Sequence, residues 1–419
     1  MTPPAPALAR RLGTVDAVVI GLGSMIGAGI FASFAPAAAA AGAGLLIGLV
    51  IAAVVAICNA TASAQLAAQY PTSGGSYVYG RERLGHWPGF LAGWSFVIGK
   101  TASCAAMAIT FAAYAAPDGW ERPVAVAAVL ALAAVNYVGV SRTAVLTRVI
   151  VAIVLAVLAL VIAAGVTSGT AAAPDLTRGL FDSGWYGILQ SAGLLFFAFA
   201  GYARIATMGE EVREPRRTIP RAIVIALGIV LVLYAVVAVL ALSVLGPRDL
   251  ATSAAPLLDV VERNWHWAAP VVRIGAAAAA LGALLALIAG VGRTSLAMAR
   301  NGDLPRWLSG VHPRFHVPHH AEIALAVVVS VLVLTVDLRG AIGFSSFGVL
   351  LYYVVANLAA FTQTGADRRY PRALQVIGVG GCLLLVATLP PVSIVVGLGV
   401  LVAGVLYRLL VVRTTRSGR

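Results

Sequence analysis

One lysine stands in the whole sequence: Lys100, inside the run GWSFVIGKTASCAAMA, while arginine supplies every other Lys/Arg position. The run lies midway along an apolar stretch, 86–115, that is long enough to cross a bilayer, so Lys100 falls near the midplane. An ionisable group at that depth is costly and marks a functional site by default. The residue type also matters: arginine holds its proton, whereas a lysine taken out of water can exchange one. Lys100 is therefore a candidate coupling group that takes up and releases a proton or swings a fixed charge between helices. Two plainer readings stand beside it. The ammonium caps freed backbone carbonyls, or it snorkels to an interface from a helix that starts later.

Glycine clusters are the second feature. VDAVVIGLGSMIGAGIFASF places Gly21, Gly23, Gly27 and Gly29 in mid-span, and GLLFFAFAGYARIATMGEE sets Gly201 among aromatic side chains. Glycine inside a helix costs about 1 kcal/mol against alanine, so such clusters need a reason. Close packing of the small-xxx-small kind is one, and Gly23 with Gly27 fits it. A discontinuous helix is the other, since secondary transporters hold substrate at the midplane between two broken helices in corresponding halves.

Other charged and metal-binding residue types give less. Arg204, just past the second cluster, is placed as an inner gate or as a structural partner of Glu210 or Glu211. Glu210, Glu211, Arg213, Glu214, Arg216 and Arg217 read as a solvated exit. His312, His316, His319 and His320 share a loop with Pro313 and Pro318, which argues against a regular metal site. Cys58, Cys104 and Cys382 lie in apolar runs at no metal-ligand spacing and read as small buried hydrophobes. No Ser/His/Asp set or carboxylate pair stands at membrane depth, so no enzyme is expected.

The elements that position these residues are apolar helices. The chain is 60% hydrophobic and 11% charged, with mean hydropathy +0.95. Twelve spans are predicted at 14–37, 43–68, 86–115, 123–141, 146–167, 185–210, 220–245, 266–299, 321–337, 340–363, 371–389 and 392–411. Runs such as 149–166 do not alternate, which argues against a transmembrane barrel. Residues 1–13 and 412–419 remain as tails, and no removable signal peptide is expected. The net charge of +13 would fit nucleic acid. Its placement argues otherwise, because Arg10, Arg11, Arg81, Arg148, Arg213 and Arg300 fall on one side, while Asp118, Glu121, Asp175, Asp249 and Asp259 dilute Arg122, Arg178, Arg248 and Arg263 on the other. Positive-inside bias then makes both termini cytoplasmic in an inner membrane.

Three segments carry a family resemblance. GLGSMIGAGIF (21–31), FFAFAGYARIATMGEEVREPRRTIPRAI (196–223) and RTSLAMARNGDLP (293–305) resemble the first helix, the sixth helix with its exit, and the segment leaving the eighth helix in amino acid permeases of the amino acid–polyamine–organocation superfamily. With the span count, the resemblance covers essentially the whole chain. It implies the leucine-transporter type of fold: two inverted five-helix repeats, 14–167 and 185–363, two further helices over 371–411, and interruptions in helices one and six. It also implies alternating access and a zwitterion bound largely by main chain. Ser24, Met25, Ile26 and Gly27 would offer N–H groups to the carboxylate, and Phe199, Ala200 and Gly201 would offer carbonyls to the ammonium. Ile26, Phe199, Tyr202, Ser103 and Phe344 would line the pocket.

One departure bears on coupling. Some proton-coupled relatives carry a lysine in the fifth helix, where this chain places Val154, so Lys100 would have to act from another helix. Sodium coupling is disfavoured, because 268–293 holds no Ser, Thr, Asn or Asp to supply oxygen ligands. The absence of a carboxylate at the centre of any span makes a cationic substrate less favoured than a neutral one; an acidic substrate paired with Lys100 comes a distant second. The expectation is proton symport of a neutral amino acid with no cofactor. Amino acid exchange is the alternative and a non-transporting sensor the remote one. The lipid bilayer is a partner, nucleic acid is not, and monomer and homodimer both remain open.

Overall fold

A computed structural model of the chain describes residues 12–27, 29–71, 74–138, 143–168, 179–208 and 211–417. Arg10, Arg11, Arg142, Asp175, Arg178 and Glu210, named above, lie outside them. Helices account for almost all the described structure, as apolar sequence in lipid requires: with no water to bind, each backbone N–H and C=O must be satisfied within its own segment. In order they are α1 (Thr14–Ile26), α2 (Gly29–Ala32), α3 (Phe34–Ala41), α4 (Leu45–Gln69), α5 (Gly75–Leu84), α6 (His86–Ala115), α7 (Glu121–Tyr137), α8 (Thr143–Val166), α9 (Gly184–Phe199), α10 (Ala203–Ala206), α11 (Pro215–Thr252), α12 (Pro256–Glu262), α13 (Ala269–Arg300), α14 (His319–Thr335), α15 (Leu338–Phe361), α16 (Arg372–Thr388) and α17 (Pro391–Ser417).

Among the described residues, nine helical stretches are long and apolar enough to cross a membrane. Three more expected spans correspond to α7, α14 and α16, which have 17 residues each. That is a little short of the roughly 20 residues a perpendicular crossing takes. The seventh span runs further than predicted: α11 has 38 residues and turns at Gly246 (φ 76°), just before Pro247. Large apolar side chains face outward along its length, among them Val224, Ile225, Ile229, Val232 and Val236, as do Val395, Leu398 and Val402 on α17. Such a belt suits acyl chains and would be a liability in water.

α6 runs through the interior against α13 and α15. Its approach to α15 is backbone to backbone: a Cβ on Gly348 would stand 2.5 Å from the carbonyl oxygen of Ser95, and one on Gly99 would stand 3.0 Å from that of Ser345. Small residues permit this closeness, which is how helices gain packing energy where lipid removes the hydrophobic drive.

Candidate functional site

Both glycine clusters coincide with helix interruptions. The first lies further along the chain than the sequence indicated. α1 continues helical through Ser24, Met25 and Ile26, and the Ser24 hydroxyl bonds back to the Ile20 carbonyl at 2.9 Å within it. The helix stops at Gly27 (ψ −126°), Ala28 is outside the described residues, and α2 restarts at Gly29. A Cβ on Gly27 would meet that of Ala283 on α13 at 2.8 Å, so this turn needs glycine to lie against α13.

The second interruption falls where the sequence placed it. α9 ends at Phe199, Ala200–Tyr202 tighten into a 3-10 turn, and α10 takes up only four residues. The two breaks touch. A Cβ on Gly201 would stand 2.2 Å from the Ser24 carbonyl oxygen and 2.6 Å from the Met25 nitrogen, and one on Gly29 would stand 2.8 Å from the Ala198 Cα.

Lys100 joins this group. It is 7% exposed, and its Nζ lies 3.4 Å from the Ala200 carbonyl oxygen in the second break. No carboxylate pairs with it among the described residues. The snorkelling reading of Lys100 does not fit this buried position; capping of a freed carbonyl does. Lysine donates here to a main-chain carbonyl of the 3-10 turn.

Tyr234 on α11 completes the arrangement, and nothing in its own segment singles it out. Its hydroxyl donates to the Met25 carbonyl oxygen at 2.6 Å and lies 3.0 Å from that of Ala198. Its ring stands 5.0 Å from that of Phe199. A lone tyrosine in VLVLYAVV reads as packing until the carbonyls that it meets are known.

The other candidates disperse. Tyr202 is fully buried with its ring 5.3 Å from Tyr353. The Ser103 hydroxyl sits 2.7 Å from that of Ser345, tying α6 to α15. Phe344 is half-buried and Ile26 lies in the core. Val154 is buried, so the fifth-helix position offers no charge. Arg204 reaches the Thr207 hydroxyl at 3.4 Å and forms no ion pair among the described residues; Glu211 and Arg293 are charges that act on it.

A separate polar centre lies at the end of the bundle where α1 begins. Asp303, 4% exposed, accepts from Tyr77 at 2.7 Å and from Arg81 at 2.9 Å, and it pairs closely with Arg408 of α17. Arg408 stacks over Trp87 and Phe90, with 5.0 and 4.6 Å to the ring centres. Burial, with Asp303 accepting its proton, pushes the Tyr77 hydroxyl up to about 12. Among the described residues, no group of three or more His, Cys, Asp or Glu side chains gathers as a metal site.

Comparison with known proteins agrees with this geometry. An uncharacterized transporter of Mycobacterium tuberculosis is 59% identical over 400 residues, covering 95% of this chain and 90% of the relative. Cationic amino acid transporter 7 of Arabidopsis thaliana is 30% identical over 383 residues, covering 84% of this chain and 65% of the relative. The branched-chain amino acid permease BcaP of Bacillus subtilis is 26% identical over 421 residues, covering 93% and 90%. The profile described as amino acid permease matches residues 12–415. The chain thus belongs to the amino acid permease family and is an amino acid transporter, not an enzyme.

Proposed function

We propose that the chain imports a neutral amino acid across the inner membrane in symport with protons, with both termini cytoplasmic and the substrate held where the two breaks meet. The fold is then two inverted five-helix repeats followed by α16 and α17. The observation that carries this reading is the contact of Lys100 with the Ala200 carbonyl, because it places the only lysine at the break itself. Protonated Lys100 would hold the Ala200 carbonyl while substrate binds beside it, so that proton and substrate load together and leave together. Ser24–Gly27 and the start of α2 would face the carboxylate, while Phe199–Gly201 would face the ammonium; Tyr202, Ser103 and Phe344 would line the wall. Arg204, held only by Thr207, would act as the inner gate. Relatives are named for cationic and for branched-chain amino acids. The missing carboxylate around the breaks favours the branched-chain type, since a substrate cation would lack a counter-charge.

Amino acid exchange is the second reading, and the same contact favours it if Lys100 keeps its proton throughout and serves only as a cap. Uptake of labelled leucine and labelled arginine into sodium-free proteoliposomes separates the readings. Accumulation of leucine under an inward proton gradient, abolished by a protonophore, is the result expected. Uptake confined to vesicles preloaded with amino acid would replace symport by exchange, and preference for arginine would overturn the neutral assignment.

A further inference from the structure

Glu322 sits in the first turn of α14 and is 3% exposed. Its Oε2 is buried and has no hydrogen-bond partner among the described residues. The side chain lies against α13: a Cβ on Gly292 would stand 3.2 Å from the Glu322 Cγ and 3.7 Å from its Oε1. A carboxylate enclosed in this way, with an oxygen unbonded, is costly when ionised and is relieved by a proton or by a cation brought into contact.

The charges around it are few. From α13 comes Arg293, next to Gly292; it makes no ion pair among the described residues, yet its charge reaches both Glu322 and Arg204. On α14 itself stands His319, three residues earlier and so on the same face, with a buried Nδ1 that has no partner. His320 is engaged through its Nδ1 with the Trp307 carbonyl at 2.7 Å. From α7, Tyr137 packs on His319, with ring centres 6.1 Å apart, and from the preceding loop His312 packs on it at 5.4 Å. α6 offers no titratable side chain between His86 and Lys100.

We infer that Glu322 is a proton-binding site, protonated in the present conformation and ionised when Arg293 moves onto it. The proton leaves from Oε2 to water at that end of the bundle, and the guanidinium takes its place as the neutralising partner. Arg293 opens the segment 293–305 and its charge also acts on Arg204 of α10, so a rearrangement that brings Arg293 onto Glu322 would also change the charge beside α10. The site therefore reports the state of the transport pathway as a protonation state. It rests on the transport reading above and deepens it by adding a proton site apart from Lys100.

The wild-type protein tests this without a variant. Dicyclohexylcarbodiimide attacks protonated carboxyl groups in apolar surroundings, so peptide mass spectrometry of the protein in proteoliposomes should find the adduct on Glu322 at acid pH. It should decline as pH rises; no adduct on Glu322 at acid pH overturns the inference. Glu322→Gln, the isostere of the protonated acid, should then flatten the pH profile of substrate counterflow, which in the wild type changes by about tenfold per pH unit beyond the transition. An unchanged profile in Glu322→Gln also overturns it. Failure of the transport reading shows elsewhere: wild-type vesicles that never accumulate substrate under a proton gradient refute symport, while the adduct and the counterflow profile still decide Glu322.

Discussion

The Tyr234 hydroxyl stands 2.6 Å from the carbonyl oxygen of Met25 and 3.0 Å from that of Ala198, so one phenol joins the ends of both interrupted helices. Removing it takes the one phenolic donor away from these buried carbonyls, at a cost of about 1–3 kcal/mol. Tyr234→Phe should therefore slow uptake by about tenfold or more and lower the melting temperature in detergent, with the ring contact to Phe199 retained. Normal uptake by this variant would show that the hydroxyl bridge is dispensable.

Gly201 lies on the Ser24–Met25 peptide with no room for a side chain. The obstruction is backbone, which cannot rotate aside as a side chain can. Gly201→Ala should force the two breaks apart, costing about 1–3 kcal/mol. Transport should be lost while the protein remains monodisperse on size-exclusion chromatography. Gly228, where a Cβ would meet nothing within 4 Å, supplies the control: Gly228→Ala should transport as the wild type does.

Lys100 distinguishes coupling from capping. Lys100→Met should abolish protonophore-sensitive accumulation and leave slow counterflow. Lys100→Arg keeps the charge but not an exchangeable proton, so it should cap Ala200 and still fail to accumulate substrate. Accumulation by Lys100→Arg at the wild-type level would reduce the lysine to a cap.

Asp303 pairs with two guanidinium groups, those of Arg81 and Arg408, in a nearly closed setting. Breaking such a buried pair from one side typically costs about 3–5 kcal/mol, because the abandoned charge has no water to turn to. Asp303→Asn should lower thermal stability steeply. Adding Arg408→Met should restore part of it, measurable as a double-mutant cycle in melting temperature. Additive losses would mean that the Arg408 contact contributes little.

Sequence alone made the helical architecture and the general place of both breaks legible, because hydropathy and glycine spacing are local signals. The position of the first break was legible only to within a few residues. Nothing in SMIGAGIF tells which glycine must turn; packing of Gly27 against Ala283, far along the chain, decides it. Ser24 was open to either reading, since its hydroxyl is satisfied inside a helix by Ile20. Tyr234 and Glu322 were illegible for a related reason. Each is ordinary in its own segment and gains meaning only from carbonyls, glycines or charges on another helix. Asp303 was visible within a recognisable motif, but its partners, Arg81 and Arg408, come from α5 and α17.

The lead-in to α1 meets the chain beyond α10 in an isolated strand-like pairing. Leu12 bridges in parallel to Val212, its N–H bonded to the Glu211 carbonyl at 3.1 Å and its carbonyl accepting from the Arg213 N–H at 2.9 Å. The lead-in to α1 and the chain leaving α10 are thereby yoked like two oars on one handle. Neither half-helix can swing without carrying the other unless two hydrogen bonds first give way, so spin labels on Leu12 and Val212 should keep a single separation while both labels move against α13.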